Sequence, residues 1–215
     1  MSAVPERYNA SLMLDANLDA GKGGKVALYC GEERVTYGDL LDRVCRMGRA
    51  LRALGTDREQ RVLLILNDTP MFPTAFYGAL RIGAVPVPVN PLFKASDYRY
   101  FLEDTGARIV VVELEHLPKL MQALEGYPEP VTTIVAGGEA PGTHAIDALL
   151  DAHAGELPPA TTHRDDMAFL LYSGGSTGTP KGVVHLQRDI PFTCESYARN
   201  VLQITEADIV FSRVL

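Results

Sequence analysis

RVLLILNDTPMFPTAFYGALRIGAVPVPV, residues 61–89, decides the fold. It opens on Arg61–Leu66, a continuous apolar run of strand length. Such a run suits a strand covered on both faces, as in a parallel sheet, because no solvent-facing side needs alternate polar residues. Pro70–Gly83 reads as a helix, with Pro73 near its start, where a missing N–H is tolerated. Val85–Val89 reads as a short second strand. Its prolines suit an edge position, and the turn at Asn90 needs no recognition role to explain it.

Outward from this unit the alternation continues. Toward the C-terminus come a helix at Ser96–Asp104, a strand at Arg108–Val112, a helix at Leu117–Leu124, a strand at Val131–Val135 and a helix at Ala145–Ala152. Toward the N-terminus, Val26–Cys30 and Arg34–Tyr37 flank the turn Gly31-Glu32-Glu33 as a hairpin. Thr36 with Asp39 three residues on is a variant capping box. Leu40, Leu41, Val44, Met47, Leu51 and Leu54 then recur at helical spacing until Gly55. The expected fold class is α/β, a mainly parallel sheet flanked by helices on both faces. Residues 1–24 read as an irregular N-terminal arm and 25–155 as an α/β subdomain. Residues 156–215 read as the start of a second subdomain, with Gly155–Arg164 as a surface linker, Ile190–Leu202 as a helix and Phe211–Leu215 inside a strand.

Composition narrows the function classes. Of 215 residues, 47% are hydrophobic and 22% charged, the balance of a globular protein with a substantial core. The net charge of −7 argues against a general nucleic-acid binder. Cys30, Cys45 and Cys194 are odd in number and widely spaced, which points to free thiols and not to a disulfide framework or zinc site. No basic start followed by an apolar run marks a signal peptide, and no apolar run reaches the roughly 18 residues of a membrane span. The expected location is the cytoplasm.

The chemistry concentrates in YSGGSTGTPKGVVH, Tyr172–His185, which follows the apolar strand Met167–Tyr172. Gly174, Gly175, Gly178 and Gly182 let the backbone approach an anion and turn its N–H groups toward it. Ser173, Ser176, Thr177 and Thr179 add hydroxyl donors, and Lys181 adds a positive charge for phosphate oxygens. A flexible Gly/Ser linker is the bland alternative, but a linker is not expected between MAFLLY and GVVHL or to end in Pro-Lys-Gly. The NTPase P-loop, GxxxxGK followed by Ser or Thr, also fails. Here Lys181 is preceded by Pro180 and followed by Gly182, and a strand follows where the P-loop opens a helix.

The loop closely resembles the phosphate-loop signature of the adenylate-forming superfamily. Its pattern runs Ser/Thr-Ser/Gly-Gly-Ser/Thr-Thr-Gly-x-Pro-Lys-Gly-Val, with every fixed position met. Val35–Gly55 and Leu64–Leu92 also resemble segments of these enzymes. Pro5–Ser11, Asp68-Thr69-Pro70 and Asp97–Leu102 are similar to the benzoate-type aryl-CoA ligases. The resemblance implies a two-step ligase: a carboxylate attacks the α-phosphorus of Mg·ATP, and the thiol of coenzyme A then displaces AMP. It assigns Ser173, Gly174, Gly175, Ser176, Thr177, Gly178, Thr179 and Lys181 to ATP, and no catalytic or metal-ligating residue to this chain. ATP, Mg2+ and coenzyme A are the implied cofactors and co-substrates, and a small carboxylic acid is the partner.

Family chains are more than twice this long. The expectation is therefore an N-terminal portion that does not complete adenylation alone and that self-associates through surfaces left uncovered. A non-catalytic nucleotide-binding or interaction module is the alternative. His185 borders the loop as either a site residue or a helix-start or core histidine. His116, His144, His153 and His163 lack metal-ligand spacing and are expected at the surface, and Asp165-Asp166 is expected to be an acidic surface turn and not a magnesium site.

Overall fold

The structure, a computed structural model, describes residues 4–173 and 178–211. The elements in chain order are α1 (Leu12–Asp19), β1 (Val26–Cys30), β2 (Glu33–Thr36), α2 (Tyr37–Ala53), β3 (Arg61–Ile65), α3 (Met71–Arg81), β4 (Val85–Pro88), α4 (Ala95–Thr105), β5 (Ile109–Glu113), α5 (Leu117–Leu124), β6 (Thr132–Ala136), β7 (His144–Ala145), α6 (Ile146–Ala152), β8 (Met167–Ser173), β9 (Lys181–Leu186) and α7 (Asp189–Thr193).

Five strands form a parallel sheet in the order β4-β3-β5-β6-β7. The apolar run of β3 is spent on two faces. Val62 and Leu64 enter a cluster with Met47 and Leu51 of α2, Ala75 and Ala79 of α3 and Ile146 of α6. Leu63 and Ile65 enter an opposite cluster with Tyr98, Phe101 and Leu102 of α4 and Leu117 and Leu120 of α5. β5 divides in the same way, with Ile109 and Val111 on one side and Val110 and Val112 on the other. Period-two side-chain alternation within an all-apolar run is what a doubly covered strand requires. β4 stands at the sheet edge, where its prolines cost no ladder bond.

The capping box at the start of α2 is formed: Asp39 N–H donates to Thr36 Oγ1 at 3.1 Å, and Thr36 N–H donates to the Asp39 carboxylate at 3.0 Å. Where α2 crosses α3, Gly48 and Gly78 allow close approach. A Cβ on Gly78 would lie 2.8 Å from both Cβ and Cγ of Met47, and one on Gly48 would lie 3.1 Å from the Gly78 carbonyl oxygen.

Four expectations are corrected here. The N-terminal arm is not irregular throughout, since α1 lies within it and buries Leu14 beside Val35, Leu40 and Val44. Asp15 of α1 makes a two-pronged ion pair, 2.8 and 2.9 Å, with Arg81, whose side chain is only 5% exposed. A short helix held by distant partners leaves little periodic signal in its own eight residues. Gly155–Arg164 is a strap and not a surface linker. Leu157 is buried against α2 and α3, Ala160 N–H donates to the Arg81 carbonyl at 2.7 Å, and Thr162 exchanges hydrogen bonds with Tyr8. The helix after β9 is shorter than Ile190–Leu202: α7 gives way to a π-helical stretch, Cys194–Arg199. Phe211 is not in a strand, and residues 212–215 lie outside the described residues.

β8 and β9 form a separate antiparallel ribbon. Leu170 of β8 is buried in the α4 and α5 cluster, while Ala168 packs with Ala10 and Leu80.

Candidate functional site

The ribbon determines where the described ends of the glycine-rich segment sit. β8 and β9 pair from Met167↔Leu186 to Ser173↔Lys181, the last register pair before the chain turns. Ser173 therefore stands directly across from Lys181, with Gly178 and Thr179 in a bend just ahead of β9. Gly174, Gly175, Ser176 and Thr177 lie outside the described residues. The Lys181 side chain is exposed and joins no ion pair among the described residues. An exposed ammonium at the end of this ribbon, beside a segment whose sequence carries glycines and hydroxyls, suits an anion with several oxygens.

Both stems of this hairpin are tied to α4. Tyr100 Oη donates to the Pro180 carbonyl at 2.8 Å, one residue before Lys181. On the other stem the Tyr172 hydroxyl donates to the Asp104 carboxylate. The Tyr172 ring packs on Phe101 with centroids 4.5 Å apart and makes an edge contact with Tyr100 at 6.1 Å. Across the ribbon Tyr172 pairs with Gly182, where a Cβ would come within 3.5 Å of the ring. Burial, and then the Asp104 carboxylate, hold the Tyr172 phenol far above its ordinary value, so it keeps its proton and remains a donor. Sequence reading missed Tyr100 and Asp104. Their only signal was a shared face of one helical turn, which looks like ordinary packing without the partner strands.

His185 lies in β9, neither at a helix start nor in the core. Its ring stacks on Phe169 at 4.5 Å with planes 5° apart, and its Nδ1 is 3.7 Å from Asp189. Asp165 and Asp166 form a turn before β8, as expected, and their carboxylates pair with arginines: Asp165 with Arg188 at 2.6 Å, and Asp166 with Arg58.

A second polar group lies at the carboxyl ends of β3 and β5. Here the connections through α3, after β3, and α5, after β5, depart to opposite faces, the crevice where doubly wound sheets often hold ligands. Asn67 Nδ2 donates to Glu115 at 2.6 Å, and His116 Nε2 is 3.2 Å from Asn67 Oδ1. His116 is buried, against the expectation of a surface position, and burial holds its imidazole below the ordinary value. The position follows from its place in a 3-10 turn leading into α5, which tucks the ring beneath the β3 loop. No group of three or more His, Cys, Asp or Glu among the described residues could hold a metal ion. No described helix is long and apolar enough to cross a membrane.

The parallel sheet and the hairpin loop define a class. Residues 15–214 match the family of AMP-binding enzymes, and the chain belongs to that family. Among its relatives, a benzoate–CoA ligase of Thauera aromatica is 44% identical over 97% of this chain and 40% of its own length. A 4-hydroxybenzoate–CoA/benzoate–CoA ligase of Rhodopseudomonas palustris is 40% identical over 95% of this chain and 38% of its own length. An anthranilate CoA ligase solved with anthranoyl-AMP superposes with a TM-score of 0.89 at 32% identity, covering 92% of this chain and 38% of its own. A benzoate CoA ligase of Burkholderia xenovorans superposes at 0.83 with 37% identity, covering 93% and 38%. The chain thus spans about two fifths of the length of the relatives it matches.

Proposed function

We propose that the chain is the N-terminal share of an ATP-dependent carboxylate–CoA ligase for an aromatic acid such as benzoate. In this reading Ser173–Thr179 and Lys181 hold the β- and γ-phosphates of ATP. The observation that carries it is the full loop signature in the sequence, together with a strand pairing that sets Ser173 opposite an exposed Lys181 with no ion pair among the described residues. The aromatic class rests on similarity to relatives named for benzoate, hydroxybenzoate and anthranilate.

The chemistry explains why such a loop is needed. A bond forms between a carboxylate oxygen and the α-phosphorus as the bond to the β-phosphate bridging oxygen breaks, and pyrophosphate leaves. The thiol of coenzyme A then adds to the acyl carbon and AMP departs. Negative charge grows on the leaving pyrophosphate, and a preorganised set of N–H, hydroxyl and ammonium donors stabilises it without reorganising. Lys181 supplies a point charge on a flexible stem, suited to phosphate oxygens. Mg2+ enters with the phosphates of ATP. The free thiols fit a reducing cytoplasm.

Calorimetric titration of the chain with Mg·ATP tests this reading. Saturable binding is expected, and Lys181→Ala should weaken it by about tenfold, near 1.4 kcal/mol. Its melting temperature should hold, because the side chain is exposed. Equal affinity in the two proteins would refute the assignment.

A further inference from the structure

We propose that Tyr100 and Asp104 of α4 are positioning residues for Ser173 and Lys181, the described ends of the glycine-rich loop, holding the β8 and β9 stems so that Lys181 is presented to a polyphosphate. The inference rests on the triphosphate reading of that loop.

The ribbon needs such support. Two antiparallel strands alone are marginal in water, and β8 and β9 pair only with each other among the described residues. Leu170 and Ala168 anchor β8 in the core, and at the hairpin mouth α4 adds a further hold from a single turn. Tyr100 and Asp104 are four residues apart and share a face, and each reaches a different stem. The partners lie 80 and 68 residues away in sequence.

The two contacts act on different atoms. The Tyr100 hydroxyl holds the carbonyl of Pro180, whose peptide group continues directly into Lys181. Proline fixes its own φ, so a restrained carbonyl leaves that peptide plane little freedom and sets the direction in which Lys181 starts. Asp104 holds Tyr172, one residue before Ser173, and the ring is clamped between Phe101 and the bare backbone of Gly182. Neither contact is needed to fill the core. The two hydroxyls are spent on a carbonyl and a carboxylate at the hairpin mouth, while Phe101 and Leu102 of the same helix pack into the sheet.

Calorimetry with Mg·ATP tests the inference on the 215-residue chain, well below every variant's melting temperature. Tyr100→Phe removes one hydroxyl and keeps the ring contacts. It should weaken Mg·ATP about three- to tenfold, the range of one lost neutral hydrogen bond, with the melting temperature within about 3 °C. Asp104→Ala should weaken binding similarly, and Asp104→Asn, which keeps an acceptor for the Tyr172 hydroxyl, should restore it. The amide resonances of Ser173 and Lys181 should shift in Tyr100→Phe and Asp104→Ala and return in Asp104→Asn. If Lys181→Ala loses affinity while Tyr100→Phe and Asp104→Ala bind normally, the positioning role fails and the triphosphate reading stands. Equal losses in Asp104→Asn and Asp104→Ala also overturn it. No saturable binding by the unsubstituted chain, or none that depends on Lys181, overturns both.

Discussion

Gly78→Ala is the sharpest test of how this fold is packed, because two effects of opposite sign meet there. In an open helix the change should stabilise by about 1 kcal/mol, since alanine loses less backbone entropy. In α3 the new methyl would sit 2.8 Å from Met47 Cβ and Cγ and 3.3 Å from the Gly48 backbone nitrogen. Carbon atoms in contact settle at about 3.5–4.0 Å, so α2 and α3 must part by roughly 1 Å locally. The Met47 Cγ can turn away, but its Cβ moves only with the backbone of α2. Overpacking of this kind costs up to about 3 kcal/mol. Offset by the propensity gain, the net loss should be about 2 kcal/mol, or roughly 4–8 °C in melting temperature for a chain of this size. Urea unfolding followed by circular dichroism gives the free energy, and a thermal scan gives the shift. A variant as stable as the parent, or more so, would show that the helices are not in contact at Gly78 and would refute the crossing geometry.

Asp15→Ala should cost about 3 kcal/mol in the same urea assay, at the low end for a broken buried pair, because it strands the Arg81 guanidinium. A loss below about 1 kcal/mol would mean that α1 is not anchored there. At high pH the chain should lose stability between about pH 10 and 12. Burial raises the Tyr77 and Tyr98 phenols from 10.0 to about 12, so their contribution is complete below pH 10 and disappears as each ionises in the folded state. Absorbance at 295 nm read against ellipticity checks this, and ionisation of all tyrosines near pH 10 with the fold intact would contradict it.

The elements with strong local periodicity were legible in the sequence. Arg61–Leu66, the amphipathic pattern of Leu40–Leu54 and the capping box at Thr36 announce themselves, because each depends on neighbours within a few residues. α1 and the strap at 155–164 were not legible. Their order comes from Arg81, Leu157 and Tyr8 meeting partners far along the chain, and a short segment carries little trace of such contacts. His116 was misjudged for the same reason, since its burial depends on a loop from another strand.

The site divides along the same line. The sequence by itself determined which residue types Tyr172–His185 brings to the proposed phosphate site: glycines, hydroxyls and one lysine, with a strand after the lysine that separates it from the NTPase loop. Only the tertiary structure decided that Ser173 faces Lys181 and that Tyr100 and Asp104 reach the two stems. Residue type and spacing specify which groups are available to a ligand. Where they point is set by packing between segments some 70–80 residues apart, and no local pattern encodes that.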